Sequence, residues 1–253
     1  MKSPLKLPSK EFKSARFLKS IIPMGKIVHS YLFFHGAPEF QLARDKRFVV
    51  GHTNRYVVYE FWRCAIEDPR RIATIAARLY PVKDEPVWNI LQENWASYKD
   101  PFIRSALFFL LNRCSDSGLI ASGKLQNENF HPISLSYLNN FKAPNFHLQL
   151  DEGDNFLDKA DEIKNCDFFL VPAGRYGLDL LTEGMPTGLE ETRVNHRRLE
   201  KWFKKNSRNC IIVYFKHNQI FKKYKDYNMT MIDKFGRVTS DKDRCEEIVI
   251  VNF

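Results

Sequence analysis

Apolar residues in this chain form short continuous runs and longer stretches with helical spacing, and the two kinds of segment alternate. The continuous runs predict buried strands at 26–34, 47–51, 146–150, 168–171, 211–215 and 248–251. Helical spacing predicts helices at 56–67, 70–79 and 197–208, and Pro69 is well placed to open the second one. Strands that alternate with helices form a parallel sheet covered on both faces, so the chain is predicted to be α/β.

A long stretch without predicted strands interrupts this alternation between 69 and 144. From 87 to 112 its apolar residues keep helical spacing, with a break at Lys99-Asp100-Pro101. From 114 to 144 the sequence is polar and punctuated by glycine, which is typical of a loop. We therefore expect an α/β core formed by 1–68 and 145–253, with a helical and loop-rich insertion at 69–144.

The predicted strand at 168–171 ends at Pro172-Ala173-Gly174, a sequence that predicts a sharp turn. Segments with a characteristic order accompany it at 47–54, 106–113, 117–119, 195–199 and 246–253. Through these segments, over most of its length, the chain resembles the Dam-type DNA adenine-specific methyltransferase family. The resemblance implies a Rossmann-like S-adenosylmethionine-dependent methyltransferase fold, in which 69–144 is a helical target-recognition insertion.

The resemblance places the family's cofactor contacts on residues that have changed. The Phe-x-Gly-x-Gly turn falls on 34–38, where Pro38 replaces a glycine and removes an amide donor. The acidic residue that accepts hydrogen bonds from the cofactor ribose is replaced by His52, which the sequence alone favours as a surface histidine at a strand end. Vestiges of the cofactor site are expected at Lys13, Phe34, Gly36 and Asn54. We therefore expect no cofactor to bind tightly.

The positions of the family's catalytic loop have changed as well. Its Asp-Pro-Pro-Tyr sequence falls on Val171, Pro172, Ala173 and Gly174. Methyl transfer to adenine needs acceptors that make the amino group nucleophilic and a ring that stacks on the flipped base, and neither Val171 nor Gly174 supplies one. We expect no catalytic residue and no activity by this chain alone. In the alternative, an active S-adenosylmethionine-dependent DNA adenine methyltransferase with unusual motifs, Asp179 would have to reach the base, and Tyr176 could stack on it.

An excess of basic residues indicates a polyanionic partner. The chain has 39 Lys and Arg against 30 Asp and Glu, a formal charge of +9, and the resemblance implies double-stranded DNA. Candidate DNA-binding residues are Asn112, Arg113, Lys124, Arg197, Lys204, Lys205 and Arg208. Two alternatives stay open: Asn112 and Arg113 complete a helix C-terminus, or the basic residues of 197–208 are only a solvated helix face.

Other features of the sequence limit the class of protein. The five cysteines are scattered and contain no Cys-x-x-Cys pair, so we expect reduced thiols and no metal site. No apolar run reaches the roughly 20 residues of a membrane span, and 1–6 lacks the apolar stretch of a secretory signal. An intracellular, cytoplasmic protein without a membrane partner is expected.

These expectations combine into a DNA adenine methyltransferase homologue that is catalytically inactive. It would act as a DNA-binding or regulatory subunit, in a heterodimer with an intact DNA adenine methyltransferase. A further alternative is a protein-interaction module without a nucleic-acid role, in which the basic residues only increase solubility.

Overall fold

The fold is described by a computed structural model over residues 3–6, 12–120, 123–151, 156–176 and 194–253. Within these residues the chain divides into two compact units. An α/β unit contains 12–54, 144–151, 156–176 and 194–253. A helical unit contains 3–6, 55–120 and 123–143.

Helices and strands alternate along most of the chain. The strands are β1 (Ile27–Ser30), β2 (Phe48–Thr53), β3 (Phe146–Leu150), β4 (Phe168–Gly174), β5 (Asn209–Phe215), β6 (Asn228–Asp233), β7 (Val238–Thr239) and β8 (Cys245–Val251). The helices are α1 (Ala15–Ile21), α2 (Ala37–Arg44), α3 (Tyr56–Glu67), α4 (Pro69–Leu79), α5 (Glu85–Asn94), α6 (Pro101–Cys114), α7 (Pro132–Asn139), α8 (Phe156–Glu162), α9 (His196–Lys205) and α10 (Asn218–Lys223).

The strands of the α/β unit form one sheet in the order β3-β2-β1-β4-β5-β8-β6-β7. The first five strands are parallel, whereas β8 runs antiparallel to both β5 and β6, so β6 points in the same direction as β5. The order along the chain reverses between β1 and β4, as at the switch point of doubly wound folds. The prediction of an α/β fold is confirmed, and the fold is Rossmann-like.

Two apolar clusters bury the faces of this sheet. Successive side chains of a strand point to opposite faces, so in β4 Phe169 and Val171 pack with α8 and α9 on one side. On the other side Phe168 and Leu170 pack with residues of α1 and α2. Parallel strands that are buried on both faces need continuous apolar runs, which is why the sequence predicted them.

Two strand boundaries near the switch point differ from those predicted. β1 ends at Ser30, not at 34, and Leu32 then adopts a left-handed φ of 59°. β4 continues through Gly174, although Pro172-Ala173-Gly174 predicted a turn, and its pairing with β5 shifts register between Pro172 and Gly174. Pro172 lacks an amide hydrogen, and this is tolerated because the pairing of β4 with β1 stops at Leu170.

The helical unit contains α3 to α7. Asp68 and Asp100 cap α4 and α6 by accepting hydrogen bonds from backbone amides, and Pro69 and Pro101 follow them at the first helical position. A buried ion pair between Glu60 of α3 and Arg104 of α6 ties these two helices together. Helix α3 therefore belongs to this unit and not to the core in which 1–68 was expected. The stretch at 114–144 is also not simply a loop, because it contains α7.

Candidate functional site

In Rossmann-like folds ligands bind at the carboxyl ends of the parallel strands, near the switch point between β1 and β4. Here that edge is formed by the β1–α2 connection, by His52 and Thr53 at the end of β2, by Asp151 after β3, and by Gly174 at the end of β4. The sequence placed the cofactor and catalytic positions at these same strand ends.

The connection between β1 and α2 is packed by aromatic rings. Gly36 has a left-handed φ of 73° and is the N-cap of α2, and a Cβ atom at this position would overlap the Phe40 ring. A Cβ atom at Gly51 of β2 would lie 2.8 Å from the Phe146 ring and 3.0 Å from Phe33. Pro38 lies in the first turn of α2, where a proline is favourable, so Gly36-Ala37-Pro38 is a helix start and not an ordinary loop.

Beneath this connection, Glu39 of α2 is buried with 2% of its surface exposed. Its carboxyl group accepts a 2.7 Å hydrogen bond from the Ser30 hydroxyl. Burial raises the pKa of Glu39 to about 7, because the charged form is desolvated, and the hydrogen bond from Ser30 opposes that change. The sequence offered no signal for this buried acid.

A chain of hydrogen bonds connects β1, β2 and the end of β3. His29 Nδ1 lies 2.8 Å from His52 Nε2, and His52 Nδ1 lies 3.0 and 3.1 Å from the two carboxylate oxygens of Asp151. His52 is only 1% exposed. This corrects the interpretation of His52 as a surface histidine, which failed because its partner Asp151 is distant in sequence.

The donors and acceptors of this chain can be counted. Burial, followed by repulsion from His52, lowers the pKa of His29 to about 4, so His29 is neutral at physiological pH. A hydrogen bond that the His29 ring donates to the backbone carbonyl of Asn165 opposes that lowering. His29 then has one N–H for Asn165 and one acceptor nitrogen for His52. His52 uses Nε2 for His29 and Nδ1 for the Asp151 carboxyl group. Neither nitrogen is left to accept a ribose hydroxyl.

The end of β4 contains no exposed polar side chain in place of the family's aspartate. Val171 is fully buried, and Ala173 joins it in the apolar cluster beneath α8 and α9. Gly174 has a left-handed φ of 65°, and the Phe12 and Phe215 rings stack beside it with centroids 5.1 Å apart. Pro172 is partly buried.

The remaining cofactor-site candidates lie at the same edge or near it. The backbone amides of Lys13 and Ser14 donate to the buried Glu247 carboxylate of β8, the second at 2.9 Å. Phe34 and Asn54 are both partly buried, in the segments that follow β1 and β2. Gly36 is the N-cap described above. Lys13 is thus held at β8, on the far side of β4 and β5 from the β1–α2 connection.

Tyr176, the candidate stacking ring, already has aromatic neighbours. Its ring lies 4.8 Å from that of His196 and 5.0 Å from that of His217, and it packs against the buried cluster. Asp179, which the active alternative requires, lies outside the described residues.

The predicted recognition residues have different surroundings in the helical unit. Asn112 is fully buried: its Oδ1 accepts from the Lys6 amide at 2.7 Å, and its Nδ2 donates to the carbonyls of Lys6 and Gly118. This corrects the assignment of Asn112 to DNA, because its amide group is occupied by backbone partners. Arg113 is partly buried beside the Asn129 carbonyl, whereas Lys124 is exposed.

The basic residues of α9 lie on different sides of the helix. Arg197 is exposed in the first turn. Lys204 pairs with Glu200 at 2.9 Å, and Lys205 is exposed. Arg208 donates to the Ile163 carbonyl and lies over the Phe169 ring. Because β5 begins at Asn209, Arg208 is at the amino ends of the strands, opposite the edge with the catalytic positions.

A hairpin that sequence reasoning missed extends the carboxyl edge. Between β6 and β7 the sequence Lys234-Phe235-Gly236-Arg237 forms a turn, with Phe235 64% exposed. The Lys234 ammonium lies 5.0 Å and the Arg237 guanidinium 5.7 Å from the Phe235 ring centroid. A Cβ atom at Gly236 would lie 2.7 Å from the Lys13 carbonyl oxygen, so the turn abuts the Lys13 segment.

No protein-family model and no curated protein matches the chain. The described residues contain no cluster of three or more His, Cys, Asp or Glu side chains that could hold a metal ion. Among the helices of the described ranges, none has both the length and the apolar character needed to cross a bilayer.

Proposed function

We propose that the chain is a non-catalytic homologue of the Dam-type DNA adenine methyltransferases that binds DNA. The strand order supports the family part of this proposal. It resembles the S-adenosylmethionine-dependent methyltransferase fold, in which five parallel strands in the order 3-2-1-4-5 are followed by an antiparallel strand inserted before the last parallel one. The order β3-β2-β1-β4-β5-β8-β6 has the same arrangement.

The observation that carries the non-catalytic part is the burial of Val171. At the position where the resemblance requires a carboxylate, which lies in the middle of β4, the side chain is apolar and packed into the core. An amino group placed there would find no side-chain acceptor at this position, and loss of one positioned polar group costs about 10²-fold or more in rate.

The residues at the expected cofactor site also support a non-catalytic role. The rings of Phe33, Phe40 and Phe146 crowd the glycines of β1–α2 and β2, where a methyltransferase needs open backbone. Both nitrogens of His52 are used within the protein. The active alternative would therefore need a different cofactor geometry and an acceptor from outside the described residues.

Nucleic-acid binding is supported by the hairpin at the carboxyl edge. An exposed ring flanked by two cations suits stacking on an unpaired or flipped-out base beside a phosphate backbone. Phe235, Lys234 and Arg237 supply this combination at the same edge as Gly174. The interaction-module alternative offers no comparable reason for this arrangement.

The DNA-binding proposal is tested by fluorescence anisotropy with a labelled DNA duplex that carries one unpaired adenine, so that a base is available for stacking. Phe235→Ala should weaken binding by about 1–3 kcal/mol, the usual worth of an aromatic stacking contact. Val238→Ala is the matched control, since Val238 is 62% exposed on the adjoining strand but has no ring. Equal affinities for the two variants would show that the hairpin is not part of the DNA interface. If the wild type does not bind DNA, the alternative of a protein-interaction module is favoured.

The regulatory part of the proposal concerns an intact methyltransferase as partner. Co-expression with a relative that keeps the Asp-Pro-Pro-Tyr loop should give a complex whose methylation rate or DNA affinity exceeds that of the relative alone. Absence of a complex in a pull-down, with both quantities unchanged, would leave DNA binding by the isolated chain as the whole function.

A further inference from the structure

A cleft of about 470 Å³ lies between α8 and α9 in the α/β unit. Its walls come from both helices and from the segment 206–208 that leads into β5. It lies on a face of the sheet, and so is separate from the carboxyl edge described above.

Four cations line this cleft at regular spacing. They are Arg198, Lys201, Lys205 and Arg208. Residues three or four positions apart lie above one another on a helix, so the first three form a stripe along one side of α9, and Arg208 continues its direction beyond the helix end. Lys204 does not line the cleft and instead pairs with Glu200.

Two of these cations are already occupied. Arg198 pairs with Asp158 across the cleft, and Arg208 donates to the Ile163 carbonyl. The second acidic residue of the wall, Asp161, accepts a 2.8 Å hydrogen bond from the Trp202 indole. Lys201 and Lys205 are exposed, and within the described ranges neither has a carboxylate at ion-pair distance.

We propose that the α8–α9 cleft binds the phosphodiester backbone of DNA through Lys201 and Lys205. The two lysines are four residues apart on α9, about 6 Å along the axis, and both line a cleft with a polar wall. Asn206 and Ser207 at the end of the cleft add polar groups next to them. The two aspartates are engaged by Arg198 and Trp202, and with four cations against two carboxylates the lining keeps a net formal charge of +2.

A phosphate polymer fits these observations better than an apolar or acidic protein segment. The free groups are point charges on flexible stems, which suits phosphate contacts and carries no sequence preference. The proposal rests on DNA as the partner, and it adds a contact surface remote from the β6–β7 hairpin. The two proposed DNA contacts can be tested independently, because Phe235→Ala changes the hairpin and the lysine variants change the cleft.

The test is the salt dependence of duplex binding by the full chain. The double variant Lys201→Gln with Lys205→Gln should lower the slope of log K against log[salt] by about 1 for each lysine. Lys159→Gln is the matched control, since it removes a charge from α8, the other helix of the cleft, at a residue that does not line the cleft and is already paired with Glu162. It should change the slope much less than a single cleft lysine does.

Each outcome decides the matter. A smaller slope in the double variant and a nearly unchanged slope in the control support the cleft, whether or not Phe235→Ala weakens binding. Equal slopes in both variants overturn it. Calorimetric titration with inorganic phosphate distinguishes DNA phosphate from free phosphate as the ligand of the cleft. If the wild type binds phosphate at millimolar concentration and the double variant does not, while both bind DNA equally well, the cleft binds free phosphate and the proposal is overturned.

Discussion

The buried Glu39 predicts a specific pH dependence of stability. Its pKa is raised from 4.5 to about 7 in the folded protein, whereas the unfolded chain keeps the ordinary value. The folded state therefore holds a proton that the unfolded state releases as pH rises. The stabilising contribution is fully present below pH 4.5 and is lost as the pH rises through 7.

The size of the effect follows from the shift. The rise of the Glu39 pKa from 4.5 to about 7 corresponds to about 3 kcal/mol of folding free energy, at 1.36 kcal/mol per pH unit. Of this, about 2.5 kcal/mol is lost between pH 5 and pH 8. Glu39→Gln removes the titration and keeps an oxygen that can accept from the Ser30 hydroxyl. The wild type should therefore lose about 2.5 kcal/mol more than the variant between these two pH values.

The assay is urea unfolding followed by far-UV circular dichroism at pH 5 and pH 8. Any pH-independent cost of the new amide cancels, because only the change between the two pH values is compared. Glu162→Gln is the control, since Glu162 is an exposed acid of the same unit and should leave the wild-type pH dependence in place. If Glu39→Gln follows the wild-type curve at both pH values, Glu39 is ionised in the folded protein and the reasoning fails.

Two further predictions test the buried polar groups. Asp151→Asn exchanges one of the two carboxyl oxygens that face His52 Nδ1 for an amide group, and it should destabilise the protein by about 1–3 kcal/mol, because a buried polar group loses its partner; unfolding at wild-type urea concentrations would show that this contact does not stabilise the fold. Asn112→Ala leaves the backbone groups of Lys6 and Gly118 without their side-chain partner, and should cost about 2–4 kcal/mol in the same assay with the salt slope of DNA binding unchanged. A lower slope without loss of stability would restore Asn112 to the DNA interface.

The sequence predicted best the elements whose signal is local. β3 and α3 have the predicted bounds, and Asp100-Pro101 ends one helical stretch and starts the next as expected. β6 was missed because most of its residues are not fully buried and it has no continuous apolar run; it lies next to the short edge strand β7. Periodicity cannot detect a strand whose pairing is decided by β8, which follows it in the chain.

The sequence predicted where the candidate site lies but not the side-chain contacts within it. The strands that carry His52 and Val171 could be located from their apolar runs, although β4 continues three residues beyond Val171. The His52–Asp151 contact depends on the pairing of β2 with β3, and these residues are far apart in sequence. Likewise, the sequence cannot show that Asn112 is bound by Lys6, or that Lys204 and Lys205 face different surroundings on one helix. Such contacts are fixed by tertiary packing.

The central claim is that this chain binds DNA and does not methylate it, and one filter-binding assay measures both properties. The chain is incubated with a fluorescent adenine-containing duplex and with S-adenosylmethionine labelled in its methyl group, in a preparation free of host methylase. The account predicts that the duplex is retained at low salt and that no methyl label above background enters the DNA. Methyl label in the duplex, or no retention of DNA at low salt, would contradict it.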